Sequence, residues 1–154
     1  PLRPAGAADT PQSQRLRGFQ RALHEFEVPF HPQWFFENAH YEAGGEEMAH
    51  RFLALAERPT GICIVNDYAA FAFMVDITRA GIRVPQDISI VSHDNQSIAS
   101  RCPVPMTAVS HPAEKIASTV VEMLLERMDG LDTPPRTVTI RGDLVERESV
   151  AAPL

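Results

Sequence analysis

The sequence predicts an α/β fold, a mostly parallel sheet with helices on both faces. Two kinds of segment carry the prediction. Short β-branched runs at 61–65 and 88–91 show no polar alternation, the signature of strands buried on both faces. Around them, apolar residues recur at three- and four-residue steps, which is the period of an amphipathic helix. The two kinds alternate along the chain, and such alternation builds parallel sheets covered by helices.

In chain order, Leu16, Phe19, Leu23 and Phe26 step along a helix over 11–28 that stops before Pro29. Trp34-Phe35-Phe36 follows Pro32 and reads as a short buried strand. Residues 42–57 are helical, with Met48, Phe52 and Leu55 inward and Glu46, Glu47 and Arg51 outward. Gly61-Ile62-Cys63-Ile64-Val65 is a buried strand. The segment 67–80 is apolar nearly all round, as in a helix that is central or covered by another subunit. Gly81 suits its C-cap. A strand over 87–92 precedes an irregular stretch, 93–105, and a short strand over 106–109. Pro112 suits the first turn of a helix whose Ile116, Val120, Leu124 and Met128 step at four, with Gly130 closing it. Short strands over 137–140 and 144–146 end the chain. The tails, 1–10 and 151–154, are expected to be loose.

Length and charge narrow the function. A chain of 154 residues suffices for one domain that buries roughly 70% of its unfolded surface. Fourteen Lys and Arg stand against twenty Asp and Glu, a net charge of −6, and a phosphate-gripping face needs the opposite balance. No apolar run approaches the ~20 residues that span a bilayer, so no membrane partner is expected. Two cysteines make no disulfide framework and fit a reducing cytosol. Cys63 reads as a small core hydrophobe and Cys102 as a loop residue. A chain that opens on Pro rather than Met reads as a piece of something longer or as a processed product.

In open parallel sheets ligands bind beyond the carboxyl ends of the strands. Those positions hold Glu37, Asn38, Ala39, His40 and Tyr41; then Asn66, Asp67 and Tyr68; then Ser92, His93, Asp94, Asn95 and Gln96. Carboxylates and amides pair with hydroxyls or ring N–H groups, and an aromatic stacks on a face, so the set suits a polyhydroxylated or heterocyclic ligand. Plainer roles compete. Asp67 directly precedes a helix and reads first as its N-cap. Asn66 reads equally as a turn residue or a ligand contact, and Asp94-Asn95-Gln96 equally as a solvated loop. Arg15 lies one turn before Phe19 and reads first as a snorkelling surface arginine. The six histidines lack paired metal spacing, and there is no nucleophile elbow, phosphate loop or dinucleotide fingerprint. No metal, no cofactor and no enzymatic activity are expected.

Taken in order, these residues resemble the effector-binding region of the LacI/GalR family of bacterial transcription repressors. The match runs from about Arg15 to Ser149. It comprises Arg15-Leu16-Arg17-Gly18-Phe19 with Ala22-Leu23, then Arg58-Pro59-Thr60-Gly61-Ile62 leading to Asn66-Asp67. It continues through Gly81-Ile82-Arg83-Val84-Pro85-Gln86-Asp87-Ile88-Ser89-Ile90-Val91, Asp94-Asn95, Met106-Thr107, Pro112, and Leu144-Val145-Glu146-Arg147-Glu148-Ser149. Each piece is common; the ordered set at matching intervals is specific.

The resemblance implies a periplasmic-binding-protein-like (type I) fold of two α/β lobes with the effector in the cleft between them. It implies Arg15 as a charge-assisted effector contact, Asp94 as the carboxylate after the following strand, and Asn66 as a donor to sugar hydroxyls. His40 falls where members put an effector-facing aromatic, and Tyr68 is a further wall. Ser92-His93 stands where Gly and an aromatic are usual, Ala72 where glycine is frequent, and His111 where Gln is frequent. The chain would lack the DNA-binding headpiece and the first lobe. Residues 11–105 would form the C-terminal lobe, 106–133 would belong to the other lobe, and 134–154 would hold the return strands and tail. The stripe Ile116, Val120 and Leu124 would then miss its usual sheet, and the isolated chain would self-associate or rearrange that helix.

The expected protein is a cytoplasmic, homodimeric repressor that senses a sugar or similar polar metabolite. It would touch operator DNA only through the missing headpiece, with the apolar helix over 67–80 contributing to the dimer. A solute-binding protein serving a transporter would share the fold and differ upstream, in an export signal.

Overall fold

The computed structural model describes residues 10–36, 41–130 and 134–152. They fall into two compact units, residues 1–37 and 38–154.

The first unit is built on α1 (Pro11–Glu25). Thr10 Oγ1 accepts from the Ser13 amide at 3.2 Å and Ser13 Oγ accepts from the Thr10 amide at 3.0 Å, a reciprocal capping box. Thr10 is thus a cap rather than part of a loose tail; 1–9 lie outside the described residues. The helix stops at Glu25, short of the expected 28, as Glu27 turns to φ +55° and the Val28 amide donates back to Leu23 O. Trp34-Phe35-Phe36 does not form the expected strand. Pro32 opens a 3-10 turn, Pro32–Trp34, in which the Trp34 and Phe35 amides donate to His31 O and Pro32 O. Aromatic content signalled burial in general, and the rings are in fact half-buried, Trp34 against His31 at 4.2 Å between centroids.

The second unit holds a four-stranded sheet in the order β1 (Gly61–Cys63), β2 (Ser89–Asp94), β3 (Thr107–Ser110), β4 (Leu144–Val145). The first three strands are parallel and β4 runs antiparallel to β3, so the sheet is mostly parallel, as expected. Four helices accompany it: α2 (Tyr41–Leu53), α3 (Asp67–Arg79), α4 (Ser97–Arg101) and α5 (Ala113–Met128). The core lies where α2 packs on α3 and α3 on β2. Phe52, Phe73, Met74, Ile77, Ile64, Ile88, Ile90 and Met106 fill it, all essentially without exposure. Phe52 and Phe73 meet edge-on, 5.4 Å between centroids. Gly45 is demanded by this packing, since a Cβ there would lie 2.2 Å from Ala69 O.

Helix α2 ends at Leu53, four residues early, because Arg58 supplies its terminal carbonyls with donors: Nη2 to Leu53 O at 2.7 Å and Nε to Phe52 O at 3.3 Å. Helix α3 ends as expected at Gly81. That glycine takes φ +90° and donates to Thr78 O, while the Ile82 amide reaches Ile77 O, a Schellman closure. The apolar circumference of α3 is covered by this chain's own elements, with Ala69, Ala70, Phe73, Met74 and Ile77 buried. Of the two readings of that helix, central is the one realised.

Three strand expectations change. β1 is an outer strand of the sheet, and Gly61 and Cys63 are exposed. Cys63 is therefore a surface thiol and not the small core hydrophobe expected. Residues 137–140 form no strand. The stretch 93–105 is more ordered than expected: β2 runs on to Asp94, α4 follows, and Cys102 caps α4 as a buried thiol whose pKa burial pushes up. The return segment also stitches the sheet. Ser149, fully buried, accepts from the Thr107 amide at 2.9 Å and donates to Ile90 O, and Ile90 N donates to Ser149 O. Helix α5 forms within the expected bounds and ends at Gly130, φ +91°. It buries no residue completely, and Val120, Val121, Leu124, Leu125 and Met128 are all more than half exposed.

Candidate ligand-binding edge of the sheet

Register places the candidates. Cys63 pairs with Val91, and the Ile64 amide donates to Val91 O at 2.9 Å, so Asn66 and Asp94 each stand three residues beyond one paired level. Asp94 in turn pairs with Ser110, and its carbonyl accepts from the His111 amide at 3.2 Å. The carboxyl ends of β1, β2 and β3 therefore gather Asn66, Tyr68, His93, Asp94 and His111 on one edge.

The N-cap of α3 is Asn66, not Asp67. Asn66 is extended (φ −151°, ψ 135°), and its Oδ1 accepts from the Tyr68 and Ala69 amides at 3.0 and 3.2 Å. Its oxygen is spent on the helix, while Nδ2 makes no hydrogen bond among the described residues and stays a potential donor. Displaced from the cap, Asp67 occupies the first helical position, fully buried, and accepts from the Gln96 amide through Oδ2. It ties the start of α3 to the loop after β2. Two buried oxygens at this end of the unit, Asp67 Oδ1 and Ser92 Oγ, have no partner among the described residues. Tyr68 is half-buried.

Asp94 ends β2 in an unusual backbone. Asp94 has φ +101° and Asn95 φ +55°, two consecutive non-glycine residues in the region L side chains avoid. The Asp94 carboxylate Oδ1 lies 2.8 Å from His93 Nδ1, and both side chains are about three-quarters buried. Asn95 Oδ1 accepts from Arg147 Nη2 at 2.7 Å, and Arg147 Nη1 donates to Met106 O at 2.6 Å.

Of the residues the resemblance assigns to an effector, Asn66, Tyr68 and Asp94 thus come together. Arg15 lies half-buried on α1, in the first unit, and His40 lies outside the described residues. Sequence reading missed the role of Arg147, which stands between Glu146 and Glu148, and the buried tie made by Asp67. The only signal for either was the polarity of residues 94–96. Among the described residues no cluster of His, Cys, Asp or Glu suits a metal ion.

The described residues thus form an α/β unit with a polar, partly buried edge at the carboxyl ends of its parallel strands, the place where ligands bind in open sheets of this kind. Residues 3–150 match the family described as periplasmic binding protein-like domain, and the chain belongs to that family, in its LacI/GalR branch. It is 34% identical over 140 residues to the HTH-type transcriptional repressor PurR of Aliivibrio fischeri, covering 90% of this chain and 42% of that protein. It also resembles a LacI-type transcription regulator from Bifidobacterium animalis (27% identity, TM-score 0.85, 96% of this chain and 53% of that one). A LacI family regulator from Lactobacillus casei with bound sucrose shares the fold (20% identity, TM-score 0.80, 94% and 53%). These relatives are transcriptional regulators and not enzymes. The chain spans about two fifths of the curated repressors' length.

Proposed function

We propose that this chain is the effector-sensing part of a LacI-type repressor, acting in the cytoplasm as a homodimer. It binds a sugar or similar polar metabolite in the cleft between two lobes, and a headpiece outside this chain carries the operator DNA. The carrying observation is the register that brings Asn66 Nδ2, Tyr68 and the Asp94 carboxylate to one strand edge. A carboxylate and an amide donor three residues beyond paired strands suit adjacent hydroxyls, and Tyr68 gives a ring to cover an apolar face. The sucrose-bound relative supports the ligand class by analogy of fold. Arg15 and His40 are assigned as effector contacts on the family resemblance alone. Helix α5 is assigned on the same ground to the second lobe, which would cover its exposed stripe. The effector shifts DNA binding only by its difference in affinity between lobe arrangements.

Calorimetric titration of the native protein with glucose, sucrose, cellobiose and adenine tests the site. Asp94→Asn is expected to weaken the tightest of these by about tenfold or more, the worth of a charge-assisted hydrogen bond. An affinity unchanged by Asp94→Asn would remove this edge from the binding site.

A further inference from the structure

We propose that Arg147 is the positioning residue of the effector site, holding the Asp94 carboxylate in place through its neighbour Asn95. The inference rests on the reading of Asp94 as an effector contact and adds a residue that touches no effector. Two successive non-glycine residues with positive φ persist only where the surroundings over-determine them. Asn is among the residues that tolerate this region, and Asp94 at φ +101° lies outside the common left-handed basin.

The restraints are identifiable. From one side, Asp67 Oδ2 accepts the Gln96 amide. From the other, the Arg147 guanidinium spans two acceptors, Asn95 Oδ1 at 2.7 Å and Met106 O at 2.6 Å. The fork is itself fixed, because the Arg147 amide donates to Thr107 Oγ1 at 2.9 Å, beside the β3–β4 ladder. Arg147 thus ties Asn95, 52 residues away in sequence, to Met106 just ahead of β3. A planar fork with two fixed, separated prongs suits two acceptors on different segments; a compact ammonium lacks that span and direction.

Amide hydrogen exchange on the native protein decides the question without any ligand. In Arg147→Gln the Gln96 amide is expected to exchange at least about tenfold faster, while the Ile90 amide, bonded to Ser149 O, keeps its rate. Asn95→Gly, which removes the acceptor and tolerates the backbone, should do the same, and Arg147→Lys should fall between. Equal exchange at Gln96 in all forms overturns the proposal, as does an equal acceleration at Ile90 and Gln96, which would mean general loosening. The sugar titrations separate the two claims. If Asp94→Asn weakens the tightest sugar and Arg147→Gln leaves it unchanged, the positioning role is overturned. If Asp94→Asn binds normally, the effector reading falls, and the exchange rates still judge Arg147.

Discussion

The proposed site gives Asn66 two chemistries to serve with one side chain. Its Oδ1 caps α3 and its Nδ2 faces the ligand reading, so substitutions separate them. Asn66→Ala is expected to lose about 1 kcal/mol of stability in urea titration, and Asn66→Ser, which keeps a capping oxygen, much less. Both remove Nδ2, so both should weaken a hydroxyl-bearing effector equally. A Ser variant that binds normally would confine Asn66 to the cap. The assignment of the cap to Asp67 failed for a reason visible in the fold. Asn and Asp are near-equal caps, and the tie-break is the Gln96 amide, 29 residues on, which claims the aspartate. No local pattern carries that information. Asp94 was legible because it follows a strongly apolar run, but the left-handed turn at Asp94-Asn95 and its Arg147 brace are long-range.

At the scale of elements, the periodic helices were legible and their ends were not. Helix α5 and the close of α3 at Gly81 follow from spacing and one glycine. The ends of α1 and α2 depend on a left-handed Glu27 and on Arg58 reaching back, neither of which periodicity encodes. Strand runs located β1, β2 and β3 but neither their order in the sheet nor which faces are covered, and the latter decides whether Cys63 is core or surface. The link from α3 to β2 carries a testable clamp. Arg83 donates to Asp87 from Nε at 2.9 Å, from Nη2 at 2.6 Å and from its amide at 2.8 Å. The Arg83 side-chain hydrogen bonds, then the Arg83 amide, lower the Asp87 pKa to about 2. A carboxyl depressed on folding adds stability above its unfolded pKa, near 4, and loses it as pH falls toward 2. Asp87→Asn should therefore flatten the fall in urea midpoint between about pH 4 and 2, and the clamp is exposed, so the effect will be small. An unaltered acid limb would show that the clamp does not outlast solvent screening.

For the whole molecule, the dominant feature is α5, whose five large apolar side chains lie more than half exposed, Met128 at 72%. Scattered apolar surface is normal, but a stripe at i, i+4, i+8 is not. The 154-residue polypeptide by itself is expected to self-associate, with a light-scattering mass that climbs with concentration. Val120→Glu with Leu124→Glu should return it toward the monomer without unfolding the sheet, because both side chains are more than half exposed. A clean monomer at high concentration that binds no apolar dye would mean the stripe finds cover within the chain.

The buried hydroxyl of Ser149 also sets an order of events during synthesis. It joins the Thr107 amide to Ile90 O, yet it leaves the ribosome 42 residues after Thr107. At roughly 5–20 residues per second, β2 and β3 wait on the order of seconds for the bond that bridges them. Until then that strand amide and that carbonyl must be served by water, so this part of the sheet stays wet. Assembly of the ligand edge is therefore timed by the return segment, which carries both the Ser149 bridge and the Arg147 brace.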